Sequence, residues 1–278
     1  MANDGHDDGA LKVTLLGTGS PRPSLVRHHP AALVEWGEGG HMLVDAGDGV
    51  VGQMLTAGVA LESVHNVALT HMHWDHILGY PGFVWGSWSA GRQRLRVTGP
   101  VGTTAMHNQL VESYYREQAE WAIELGYPRA GFDNVEVRDV TPGWSETVDG
   151  CLLQAGPVHH PPMDALAFRF SYAGRSLVIS GDTARCDDFV EFSSGADVMV
   201  LDACAAIPPG DLPPERRRIF ERLHEFHATP QECVDMAAAA GAPCVVLTHH
   251  LPGAAPEFDA AGYDGEVIVG ADLDVIVV

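Results

Sequence analysis

The 278-residue sequence contains a single lysine, Lys12, and only 16 basic residues against 37 acidic ones, for a formal net charge of −21. A surface this acidic repels polyanions, whereas nucleic-acid binding relies on Lys and Arg to neutralise phosphates, so nucleic acid is disfavoured as a partner. The one concentrated basic run, Arg216-Arg217-Arg218, lies between Glu215 and Glu221 and reads as a solvated helix face. No apolar run approaches the ~18–20 residues that span a bilayer. The start, Met1-Ala2-Asn3-Asp4-Gly5-His6-Asp7-Asp8, lacks the basic and apolar parts of a secretory signal. A cytoplasmic protein without membrane contact is expected. The five cysteines are odd in number and form no C-x-x-C pair, which argues against a disulfide framework or a thiolate zinc site. Several lie in apolar runs, as in Pro243-Cys244-Val245-Val246-Leu247, where they serve as small buried hydrophobes.

Histidine is what the chain has in abundance, with fifteen residues that cluster. Short apolar runs at residues 11–16, 31–36, 41–44 and 66–70 predict strands, and residues 50–57 a helix. Residues 100–125 show helical spacing closed by Pro128 to Gly131. Successive β runs follow at 135–137, 152–158, 166–171, 176–180 and 197–201. Helices are expected over about 213–226 and 230–241. The second of these opens with Thr229-Pro230-Gln231-Glu232, which has the N-cap, N1 and N3 residues of a capping box. Residues 243–248 and 266–278 read as strands again. Strands and helices interleave in both halves without a linker or repeat, which predicts a mixed α and β (α/β) architecture. Residues 1–10 read as a polar tail and 11–278 as one domain.

The strand at 66–70 runs directly into His71-Met72-His73-Trp74-Asp75-His76. Three imidazoles and a carboxylate converging in one loop suit zinc, with manganese or iron as alternatives. Further donors follow other apolar strands: His159-His160 after 152–158, Asp182 after Ser180-Gly181, and His249-His250 after 245–248. Each alone is a weak signal. Their recurrence at strand ends predicts one shared site.

From Leu11 to the C-terminus the chain resembles the metallo-β-lactamase-fold superfamily. Thr70-His71-Met72-His73-Trp74-Asp75-His76 followed by Gly79 looks like its H-x-H-x-D-H signature. Gly17-Thr18-Gly19, Leu43-Val44-Asp45-Ala46-Gly47-Asp48-Gly49, Ser180-Gly181-Asp182-Thr183 and Leu247-Thr248-His249-His250 match its other motifs in order. The resemblance implies a four-layer αβ/βα sandwich with the site at one edge of the paired sheets. It also implies that His71, His73 and His160 hold one divalent metal, and that Asp75, His76 and His249 hold a second. Asp182 would bridge the two. His160 is preferred to His159 on spacing, His250 is taken as structural, and Asp45 resembles the buried aspartate that orients the ligand loop. Two such ions clamp a bridging water and lower its pKa from ~15.7 toward neutrality, giving a hydroxide nucleophile that Asp75 can orient. His227, in His227-Ala228-Thr229, is the expected proton donor to the leaving group, ahead of His224.

Leu15-Leu16-Gly17-Thr18-Gly19-Ser20-Pro21 resembles the branch holding ribonuclease Z, small phosphodiesterases and arylsulfatases. Bacterial ribonuclease Z inserts a long tRNA-gripping arm between the third and fourth motifs, whereas His160 and Asp182 here lie close in sequence. The expectation is therefore a hydrolase of a small phosphodiester, aryl sulfate or related ester, with two divalent ions, zinc first. Lactone, thioester or β-lactam hydrolysis is the next alternative, then a ribonuclease Z-like activity, then an iron-dependent redox or non-catalytic metal-binding relative. Trp85 and Trp88, with Trp74, Tyr114, Tyr115 and Trp121 nearby, are expected to line an apolar substrate pocket. Arg22 and Arg27 are weaker candidates for contact with an anionic oxygen. Relatives in this branch are often dimers, which implies a homodimer.

Overall fold

Apolar alternation along short β runs, interrupted by helices, sorts the chain into two seven-stranded sheets in the computed structural model, which describes residues 10–205, 213–253 and 256–278. The first sheet holds β1 (Lys12–Gly17), β2 (Ala31–Trp36), β3 (Gly40–Val44), β4 (Asn66–Ala68), β5 (Leu95–Gly99), β6 (Val135–Asp139) and, at its far edge, β14 (Val275–Val277). The second holds β7 (Ser145–Val148), β8 (Cys151–Gly156), β9 (Ala167–Tyr172), β10 (Arg175–Ile179), β11 (Val198–Asp202), β12 (Cys244–Thr248) and β13 (Glu266–Val269). β3 to β6 run parallel to one another, as do β10 to β13, while the remaining pairs are antiparallel. The helices are α1 (Val50–Thr56), α2 (Trp74–Ile77), α3 (Tyr80–Ala90), α4 (Thr103–His107), α5 (Arg116–Glu124), α6 (Arg129–Asp133), α7 (Asp187–Phe192), α8 (Pro214–Leu223) and α9 (Pro230–Ala240).

The layers follow from which faces are apolar. Val13, Leu15, Val34 and Val44 of the first sheet meet Phe168, Phe170, Leu177, Val200 and Val246 of the second in one inner core. The opposite face of the first sheet packs against α1 and α3, and that of the second against α7 and α9. The result is the predicted mixed α/β, four-layer αβ/βα sandwich. Among the described residues no helix is long and apolar enough to cross a membrane. All five cysteines are free, and Cys151, Cys204 and Cys233 are buried as expected.

The differences from expectation are local. Pro128, read as closing a helical stretch, is the N-cap of a further helix, α6. The run at 266–278 divides between β13 and β14, which sit in opposite sheets. Residues 1–9 of the expected polar tail lie outside the described residues. In the arginine run, Arg218 is exposed and Arg217 is half-buried. The Arg216 side chain lies outside the described residues.

The predicted capping box is present at α9, where Glu232 N–H donates to Thr229 Oγ1 at 3.1 Å and Thr229 N–H donates to Glu232 Oε2 at 2.8 Å. This cap fixes the turn that carries His227. Thr229→Ala is expected to cost about 1 kcal/mol, the usual worth of an N-cap. Thermal unfolding should show a lowered midpoint, and an unchanged midpoint would mean the cap is dispensable.

Candidate metal centre

Strands that run parallel end at the same edge, and that edge carries the acids and histidines. Asp45 follows β3, His71 comes shortly after β4, Asp182 follows β10, Asp202 closes β11 and His249 follows β12. Asp45 and His249 are two of only five described non-glycine residues in the left-handed region, with φ of 58° and 61°. Such backbone costs free energy and persists where surrounding structure enforces it, often at functional sites. Gly181 also has positive φ, and a Cβ there would lie 2.5 Å from Thr70 Cβ, so the turn that presents Asp182 needs glycine.

Asp45 organises the histidine loop. Its Oδ1 accepts from Thr70 N–H at 2.7 Å and its Oδ2 from Thr70 Oγ1 at 2.7 Å, while His76 Nδ1 lies 2.8 Å from the same Oδ2. One buried carboxylate thus fixes both the start of the loop and the ring carried by α2. Other rings are held in the same manner. His160 Nδ1 donates to the Phe226 carbonyl at 2.9 Å, and His71 Nδ1 lies 3.1 Å from Thr70 Oγ1. With one nitrogen engaged, each ring turns the other inward, the arrangement that orients metal-binding imidazoles. Asp45→Ala is expected to weaken zinc affinity by about 10–100-fold. Competition with a chromophoric chelator measures this, and unchanged affinity would remove Asp45 from that role.

Two donor groups converge on Asp182. One is His71, His73, His160 and Asp182, and the other is Asp75, His76 and His249; within each group the donor atoms lie within 4.8 Å of one another. Asp182 Oδ2 faces His71 Nε2 at 3.5 Å and His160 Nε2 at 3.8 Å. Its Oδ1 faces His76 Nε2 at 3.1 Å and His249 Nε2 at 3.5 Å. Asp75 Oδ2 closes the second group, 3.3 Å from His249 Nε2. His71 Nε2, His76 Nε2, Asp75 Oδ1 and Asp182 Oδ1 are buried without hydrogen-bond partners. Each such orphan costs roughly 1–3 kcal/mol. Cations between these atoms would satisfy all four, so the residues fit a metal centre.

The electrostatics point the same way. Burial, reinforced by neighbouring His76, holds His71 well below the ordinary imidazole range, hence neutral and able to donate a lone pair. Burial also pushes His76 down, but the charges of Asp182 and Asp45 outweigh it and hold the ring up to about 10. At Asp182, burial is outweighed by His249, His76 and His71, and the carboxyl stays well below its usual range. Acids that draw protons onto these rings would also draw divalent cations.

His227 is drawn into the same cluster by a residue the sequence reading did not single out. Its Nδ1 lies 2.7 Å from Asp202 Oδ2 and 3.8 Å from Asp182 Oδ2, and its ring stacks on His249. Asp202 is itself fixed, accepting from Thr183 N–H at 3.2 Å and Cys204 N–H at 2.9 Å. Burial opposes the charge on His227, but Asp202 prevails and raises its pKa. Asp202 closes an apolar strand just as the recognised donors follow theirs, a signal too weak to single it out without the strand pairing. Asp202, Cys204, His227 and His249 also form a third group whose donor atoms lie close together.

Other expected residues fall outside the cluster. His159 is exposed while His160 is buried, and His224 is exposed at the end of α8. His250 is structural, its Nε2 donating to the Leu247 carbonyl at 2.9 Å. The expectation for Trp88 is corrected. Trp88 is wholly buried against Phe132 with its Nε1 donating to the Pro128 carbonyl, and Trp85 packs beside it in the outer core. α3 turns Trp88 wholly into the protein, whereas Trp85 stays half-buried. Arg27 is spent on Thr18 Oγ1 and the Gly270 carbonyl, whereas Arg22 is exposed.

A family model described as the Beta-lactamase superfamily domain matches residues 41–250. A ribonuclease Z of Mycobacterium sp. (strain KMS) is 32% identical over 281 residues, covering 95% of this chain and 94% of the relative. The metallo-beta-lactamase fold protein YhfI from Bacillus subtilis superposes with a TM-score of 0.74 at 19% identity, over 96% of this chain and 99% of that one. The short form of human tRNase Z gives 0.69 at 23%, over 95% and 98%. The chain belongs to the beta-lactamase superfamily, and with this fold it is a metal-dependent hydrolase.

Proposed function

We propose that the chain hydrolyses phosphodiesters at a dinuclear centre, with His71, His73 and His160 holding one divalent ion and Asp75, His76 and His249 the other. Asp182 would offer one carboxylate oxygen to each ion. The observation that carries this reading is the division of Asp182, one oxygen facing each donor group. Two divalent ions, zinc first, supply when bound an activated water and neutralisation of charge developing on the phosphoryl oxygens. Asp75 holds His249 through Oδ2, and its second oxygen, buried without a partner, would orient the attacking water. His227 protonates the departing oxygen, with Asp202 fixing its tautomer and sustaining the charged ring. Phosphodiester chemistry is preferred to aryl sulfate or acyl chemistry because the curated relatives are named for a ribonuclease activity, which cleaves such a bond. Zinc- and manganese-loaded enzyme should be assayed on bis(aryl) phosphate, aryl phosphate monoester, aryl sulfate, lactone and β-lactam. The highest kcat/KM is expected on bis(aryl) phosphate, and a higher value on any other class would replace the proposal.

A second reading is 3′ processing of tRNA, favoured by the shared name and by alignment over nearly the whole of both chains. It weighs against the sequence-based expectation that nucleic acid is an unlikely partner. That expectation rested on the short His160–Asp182 spacing and the net charge of −21. The first support is weakened, since such full coverage over 281 residues leaves little room for a long insertion in the relative either. The charge still favours a small substrate. Cleavage of a precursor tRNA at higher kcat/KM than bis(aryl) phosphate would establish this second reading.

A further inference from the structure

Beyond the donor cluster, on the side of His227, lies a pocket of about 390 Å³. Its walls are Pro21 from the loop after β1, Phe220 and Leu223 from α8, and Leu251 after β12. Phe220 and Leu223 pack on buried Cys204 and Leu251 as a small apolar cluster separate from the three main cores. The charged or ionisable side chains of its lining are Arg22, His227 and Cys204, and burial pushes the Cys204 thiol up and so keeps it neutral. Arg22 is exposed and so stands at the outer rim, while His227 is buried and its Nδ1 reaches Asp202 and Asp182 behind the pocket wall.

We propose that this pocket receives the leaving group of the phosphodiester substrate, and that this group is an apolar aryl or alkyl body rather than a sugar or nucleobase. The inference rests on the phosphodiester reading for the bond that is cut. His227 gives the direction. It borders both the donor cluster and the pocket, so a phosphoryl centre beside Asp182 sends the group that His227 protonates into the apolar space. The volume lies within the range of about 300–1,000 Å³ typical of small-molecule sites, and it accommodates an aromatic ring system. Apolar walls gain by removing hydrocarbon from water but cannot replace the hydrogen bonds that a nucleobase edge or sugar hydroxyls lose. Arg22 suits an anionic oxygen at the rim through its forked donors.

Binding of non-hydrolysable phosphonates separates this inference from the reaction itself. Zinc-loaded protein should bind phenylphosphonate at least tenfold more tightly than methylphosphonate by titration calorimetry. Leu223→Ser should cut that preference severalfold while leaving methylphosphonate affinity near wild type. Equal affinity of wild-type protein for the two phosphonates would overturn the proposal, whatever becomes of the variant. So would tighter binding of a nucleoside phosphonate than of phenylphosphonate. A retained phenyl preference without hydrolysis of any phosphodiester would support the apolar pocket and defeat only the reaction assigned to it.

Discussion

Asp182→Asn is expected to lower kcat by more than about a thousandfold on any phosphodiester and to leave the protein with fewer than two bound metal ions. The side chain is buried, and its oxygens each face a different set of imidazoles. An amide keeps the shape but removes the negative charge and replaces one oxygen with a donor, so one set of rings loses its anionic partner. Elemental analysis of purified protein, together with turnover, measures both effects. Thermal unfolding provides the control, because the amide preserves volume in a packed site. Full activity in this variant would remove the bridge between the two groups.

His227→Ala is expected to discriminate between leaving groups. An alkoxide is too basic to depart without a proton, so loss of the general acid should cost about 10²–10⁴-fold in kcat. A nitrophenolate leaves unaided, and the same substitution should cost less than about tenfold there. Asp202→Asn should show the same pattern with a smaller amplitude, since it removes the partner that orients and charges the ring and not the acid itself. The dependence of log kcat on leaving-group pKa reports the difference as a steepened slope. Equal and negligible losses on both substrates would leave His227 without a role in proton transfer.

Much of the donor set was legible because metal ligands need particular side chains in particular places. His71, His73, Asp75 and His76 crowd one loop after a strand, and His160, Asp182 and His249 each follow another apolar run. What brings them together is strand register, which the sequence does not spell out. Asp202 shows the limit. It reads as an ordinary strand end until the parallel pairing of β10, β11 and β12 sets it between Asp182 and His249. His160 over His159 was a spacing preference, and the burial of one against the exposure of the other gives it a physical basis.

Trp88 departs from expectation for a related reason. Tyr80–Ala90 contains a proline and two glycines and has little intrinsic helix preference, so its aromatics looked like parts of the ligand loop. Tyr80, Phe83, Val84 and Trp88 are nevertheless buried together on the outer face of the first sheet. Tertiary packing makes the helix, and the helix takes Trp88 out of reach of any substrate. The apolar pocket beside the cluster is built instead by α8, whose charged stretch pointed in sequence only to a solvated face.

The most direct test of a dinuclear hydrolytic centre is a zinc titration of metal-free protein, followed by turnover of bis(para-nitrophenyl) phosphate. Activity is expected to rise until two equivalents of zinc are bound per chain and then to level off. Saturation at one equivalent, or no phosphodiester turnover alongside bound iron and oxygen consumption, would contradict it.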